Sequence, residues 1–328
     1  MNTPVSELVS SEEIAAADAD ASMHMKEGIR LLEESHANAE AALRCFDRAL
    51  ELRRRLPIEK AVYAYGLAAC WLNRADALMH VGDAAHRDLA RHAYDEAIDL
   101  LRTLPLDDAR FSKRLAIALQ NRALAVVAHD ASATADAIHA FTEAIAVLSD
   151  ASGLEPHERD YLLAVVWMNL ANVRATQGTT ASDNAARGAA RRTIALVAQR
   201  EWEEASVAEA GLKARHVLCQ TIARRLSSRA SGDATMLEDV HDATDLVDEG
   251  LSLVRSWEQR GLTHFRGLAA DLFRFGARVY GGYQPHFLSE FVRENMDPRR
   301  SSRDYVESAE MGGVAAEFAG VLHVTGGD

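Results

Sequence analysis

Three asparagines recur at intervals of 48 residues (73, 121, 169): Asn73 in WLNRADAL, Asn121 in LQNRALAV and Asn169 in WMNLANVR. A carboxamide donates and accepts at once, so it can pair with peptide groups whatever side chains accompany them. Those peptide groups belong either to an adjacent helix, where the asparagine would fix packing, or to a bound segment. Each asparagine is followed two residues later by alanine, Ala75, Ala123 or Ala171, so the recurrence involves more than one polar residue.

Other chemistry is sparse. Catalysis needs a nucleophile, acid–base groups or a metal held within mutual reach. The glycine-rich phosphate loops, the zinc pattern H-E-x-x-H, the C-x-x-C pair and the G-x-S-x-G elbow are all absent. The nearest candidate is VHDATD, where His241, Asp242 and Asp245 are similar to a metal-phosphohydrolase dipeptide. That class needs further histidines and an aspartate from other helices, so a helical hydrolase is the remote alternative. No catalytic residue, metal ligand or cofactor is assigned.

The residues that position the asparagines are strong helix formers. Hydrophobic residues make up 48% of the 328, with only 6 prolines and 19 glycines, which predicts an all-α chain. ALRCFDRALELRRRLP from Ala42 aligns without a gap on ARHAYDEAIDLLRTLP from Ala90. Small, aromatic and small residues coincide as Ala42, Phe46, Ala49 and Ala90, Tyr94, Ala97, and again as Ala137, Phe141, Ala144. A weaker copy runs through Ala186, Ala190 and Thr193. Spacings of four and three put each set on one side of a helix, where small residues admit a neighbour and the aromatic fills the gap. Pro57 and Pro105 close the first two segments, and turns follow at Gly82-Asp83, His129-Asp130 and Gln177-Gly178. Two helices per ~48 residues, repeated, predict a solenoid of helix hairpins.

These residues resemble the tetratricopeptide repeat family. Trp71, Ala75, Gly82, Ala90, Tyr94, Ala97 and Pro105 fit its pattern in one unit, although the common unit is about a dozen residues shorter, and Arg74 and Arg122 stand where the family has an apolar residue. The resemblance implies a right-handed α-solenoid of antiparallel helix hairpins. It divides the chain into a capping segment 1–21, four hairpins in 22–200, a divergent fifth hairpin in 201–260, and aromatic-rich helices with a capping tail in 261–328. Ser10 and Glu13 form a capping-box pair for the first helix, and SRASGD splits the fifth hairpin.

The resemblance further implies that first helices line a concave groove, and that Asn73, Asn121 and Asn169 sit where family members hold a peptide. Asn172 extends the row, Lys26 falls near the corresponding place in the first unit, and Asp76 faces the same side. The function implied is a non-enzymatic adaptor that binds a protein or peptide. The alternative is a regulatory receptor, in which a ligand alters the curvature of the solenoid and so controls a partner.

A net charge of -13 argues against nucleic-acid backbone binding and would favour a basic partner segment over an acidic one. The N-terminal stretch lacks a basic region followed by an apolar run, and Cys45, Cys70 and Cys219 are scattered. A reduced, cytoplasmic protein that does not enter the membrane is expected. Nine of the twenty aromatics lie from Phe265 onward. They form either the core of a capping unit or an exposed patch for a partner or a second copy of the chain. The basic loop MDPRRSSRD reads as a solvated turn, or as a phosphorylation or anion site.

Overall fold

A computed structural model describes residues 10–228 and 234–319, the side chains at 129, 131, 234 and 235 excepted. The start of the expected cap (1–9), most of the SRASGD break and the end of the tail (320–328) lie outside the described residues. Every regular element among the described residues is helical: α1 Ser11–Glu34, α2 Ala39–Arg53, α3 Ala61–Val81, α4 Ala84–Arg102, α5 Ala109–His129, α6 Thr134–Asp150, α7 Pro156–Thr176, α8 Thr180–Val197, α9 Ala205–Ser227, α10 Ala234–Gln259, α11 Arg266–Tyr283, α12 Pro285–Met296, α13 Arg303–Val306 and α14 Ala309–Glu317. Two compact units divide between Arg159 and Asp160.

In the first unit each helix from α1 to α6 packs on the next. The capping box at Ser10 and Glu13 starts α1, which runs unbroken to Glu34. Gly82 adopts the left-handed conformation that ends α3, and Asp83 then caps α4 by accepting the His86 backbone N–H at 2.9 Å. Helices α2 and α4 stop at Arg53 and Arg102, just ahead of Pro57 and Pro105.

The small–aromatic–small residues of α2, α4 and α6 are all buried. What faces each aromatic varies with its chemistry. Beneath Phe46 lies Gly28, where a Cβ would come within 2.5 Å of the ring, so α1 approaches closely only because no side chain intervenes. Forty-eight residues on, Tyr94 replaces Phe46 and Asp76 replaces Gly28, and the tyrosine hydroxyl donates to the aspartate. The extra hydroxyl and its acceptor arrive together, as burial of a polar group requires.

In the second unit α8 packs on α9, α9 on α10, α10 on α11 and α11 on α12, with α14 returning to α11. Phe265, Phe273, Phe291 and Tyr305 are buried in one apolar cluster, against which Phe275 and Phe318 pack, so most of the late aromatics are core. Gly276 lets α12 and α10 close on α11, since a Cβ there would meet Phe291 and Val247 at 2.7 Å. Arg215 and Glu201 form a buried bidentate pair at 2.7 and 2.8 Å, and Trp257 Nε1 donates to the Glu201 carbonyl at 2.8 Å. Gly211 leaves room for that pair, because a Cβ would lie 2.3 Å from Glu201 Oε2.

No helix among the described residues is long and apolar enough to cross a membrane. Cys70 and Cys219 are buried, Cys45 is half-buried, and all three are free thiols.

Candidate interaction sites

The expected asparagine row divides between the units. In the first, Asn73 is half-buried on α3 and donates from Nδ2 to the Ala69 carbonyl of its own helix at 2.8 Å. Asn121 on α5 donates to Asp76 Oδ1 on α3 at 3.3 Å. Asp76 thus gathers α3, α4 and α5 through its contacts with Tyr94 and Asn121. Burial raises its pKa, and the two hydrogen bonds together with the nearby His80 and Arg114 charges partly oppose the rise. Lys26 is exposed on α1. Asn169, half-buried, and Asn172, exposed, lie on α7 within the second unit. The structure therefore joins Asn121 to Asp76, whereas the Asn73 amide hydrogen is spent within its own turn.

The other half of the repeated triplet, the arginines, also has partners. Arg74 on α3 donates to Asp47 on α2 at 2.6 Å, and Arg122 on α5 donates to Asp95 on α4. Both pairs span 27 residues and lie 48 residues apart, so the ion pair repeats with the helices. These arginines point toward the preceding helices, α2 and α4. In each case the charge reaches a carboxylate on the preceding helix.

Each pair rims a recess. One, of about 420 Å³, is floored by Trp71 on α3 between α2 and α4, with Asp47, Leu50, Glu51, Arg54 and Arg74 around it. The other, of about 250 Å³, is floored by Leu119 on α5 between α4 and α6, and holds Asp95, Ile98, Asp99, Arg102 and Arg122. At a spacing of 48, Asp47 and Glu51 fall on Asp95 and Asp99, Arg54 and Arg74 on Arg102 and Arg122, and Leu50 on Ile98, while Leu119 stands in place of Trp71. The Arg54 guanidinium lies 4.8 Å from the Trp71 ring centroid, a cation–π contact, while Arg102 pairs with Glu143 at 2.9 Å.

No protein-family model matches this chain, and no curated protein matches it.

Two recesses of the second unit follow the same plan. One lies between α8 and α10 above Leu218 of α9, and the other between α10 and α12 above Tyr280 of α11. The His241-Asp242 dipeptide is shared out between them. Asp242 pairs with Arg191 in the first recess, and His241 lines the second. No group of three or more metal-ligating side chains occurs among the described residues. The dipeptide therefore does not converge on one point, as metal-assisted hydrolysis requires.

The serines of MDPRRSSRD are structural. Ser301 donates to the Glu294 and Asn295 carbonyls at 3.1 and 3.2 Å, and Ser302 caps α13 while donating to Glu258. The recesses were not anticipated from sequence. Their signal was present in the ungapped alignment, where Asp47 and Arg54 fall on Asp95 and Arg102.

Proposed function

We propose that this chain is a non-enzymatic adaptor of the cytoplasm, built as a right-handed α-solenoid of antiparallel helix hairpins resembling tetratricopeptide repeats. One observation carries the reading: the same recess, with an apolar floor and an arginine–carboxylate rim, occurs twice at a separation of one repeat. A quasi-linear array offers equivalent sites at a fixed step, which suits an extended or repetitive protein partner better than one small substrate. Asn169 and Asn172 on α7 remain available to a second segment of such a partner, whereas Asn121 acts chiefly in positioning α3 and α5.

The test starts from affinity purification out of the native cell with wild-type protein as bait. Partners recovered without added ligand, and lost when Arg54 and Arg102 are both changed to alanine, support the adaptor. A hydrolytic activity of the purified chain that disappears in His241→Ala contradicts it.

A further inference from the structure

Most late aromatics are buried, but two are exposed: Tyr283 by 41% and Phe287 by 46%, one at the end of α11 and the other at the start of α12. Phe287 forms one wall of a groove of about 380 Å³ between α10 and α12, floored by Tyr280 and Phe291. An apolar floor and an exposed ring on a surface element call for a covering group. The carboxylates on both walls, from α10 and α12, say what kind. Asp245, Asp248, Glu290 and Glu294 all line the groove, together with His241. Glu294 pairs with Arg300 at 3.5 Å, and Asp248 accepts the Tyr280 hydroxyl at 3.1 Å. Asp245, Asp248 and Glu290 have no ion-pair partner among the described residues. Three carboxylates without an ion pair around an aromatic floor repel one another, only partly offset at Asp248 by the Arg255 charge, and leave a negative potential open to solvent.

We propose that the α10–α12 groove docks a basic segment of a partner protein, with an arginine or lysine head among Asp245, Asp248 and Glu290 and its stem, or an adjoining apolar residue, against Phe287. Charge complementarity selects this occupant. The long stem of a basic side chain covers apolar surface while its head keeps a carboxylate partner, and the Phe287 ring adds a cation–π contact. An acidic or purely apolar segment would leave the carboxylates uncompensated. This inference deepens the adaptor reading and rests on it, since it names one docking surface and the chemistry of its partner.

The probe is a short fluorescent peptide alternating arginine with leucine, compared with its glutamate–leucine counterpart, against the full chain. Wild type binds the arginine peptide and not the glutamate one. Phe287→Ala with Glu290→Gln, both exposed positions outside the core, weakens binding about tenfold or more. Val62→Ala with Glu59→Gln, an equal change of charge and a comparable loss of exposed apolar surface in the first unit, leaves binding unchanged. Circular dichroism melting confirms that both variants remain folded.

The proposal fails if wild type does not bind the peptide, or if the two double variants weaken binding equally, which would mean general attraction to an acidic protein. It also fails if sedimentation shows wild type self-associating through a face that Phe287→Ala disrupts, since the occupant is then a second copy of the chain. None of these failures touches the adaptor reading, whose own test depends on Arg54 and Arg102 in the first unit.

Discussion

Asn121 on α5 donates from Nδ2 to Asp76 Oδ1 on α3, 3.3 Å away and 45 residues earlier in the chain. The same oxygen accepts the Tyr94 hydroxyl from α4, so one carboxylate fixes three helices. Asn121→Ala leaves Asp76 with one donor fewer in a largely buried place, at a cost of about 1–3 kcal/mol. The expected result is a clearly lower melting temperature with partner binding per folded molecule unchanged. Binding lost at full stability would instead assign Asn121 to the groove.

Asp76 also gives a pH dependence. Burial raises its pKa above the ordinary carboxylate value, so the folded chain holds the proton more readily than the unfolded one. Its contribution to stability is fully present below the unfolded value and is lost as pH rises through the folded one. Wild type should therefore gain stability relative to Asp76→Asn as pH falls from neutrality toward about 4. Melting curves of the two proteins across that range check the sign.

His80 acts in the opposite sense. Its ring stacks on that of His36 with centroids 3.9 Å apart, tying the turn after α1 to the end of α3. Desolvation lowers the His80 pKa, the His36 charge lowers it further, and Asp76 partly offsets both. The stability contributed by His80 is present above its unfolded pKa and lost as pH falls through the folded one. His80→Gln should flatten the stability profile between about pH 7 and 5, where wild type weakens. Proton NMR titration of the two imidazoles provides the independent check.

The small–aromatic–small helices were legible in sequence because burial dictates them: Ala42, Phe46 and Ala49 occupy positions where only such sizes fit, and the rule repeats. The capping box at Ser10 was legible because its partners are three residues apart. The contact of Asn121 with Asp76 was not, since it joins helices 45 residues apart and no local pattern encodes it. The recesses escaped notice for a related reason. Their residues come from three helices, and the arginines looked like exceptions to an apolar rule until Asp47 and Asp95 were found opposite them. The division at 159/160 was also hidden, because repeat register fades near 200 while contacts thin elsewhere.

The arginine–aspartate pairs should contribute little energy. Asp47 is half exposed, and pairs of this kind are worth about 0–1 kcal/mol. Arg74→Ala and Arg122→Ala should each lower stability within that range, less so at high salt, as chemical denaturation in two salt concentrations would show.

The Arg215–Glu201 pair is the contrast, with both side chains almost wholly buried. Arg215→Met strands a buried carboxylate and should cost roughly 3–5 kcal/mol, whereas Arg215→Met with Glu201→Gln should recover much of the loss. Denaturant titration of the single and double variants measures the difference. Equal losses would show that packing, not charge, sets the cost.

The central claim is that the two equivalent recesses act as repeated contact points for one partner. Calorimetric titration of the partner recovered from the native cell, against wild type, Arg54→Ala, Arg102→Ala and the double variant, tests it most directly. The account predicts that each single change weakens binding and that the double change weakens it by far more than either alone, with stoichiometry unchanged. Undiminished affinity in the double variant would contradict it.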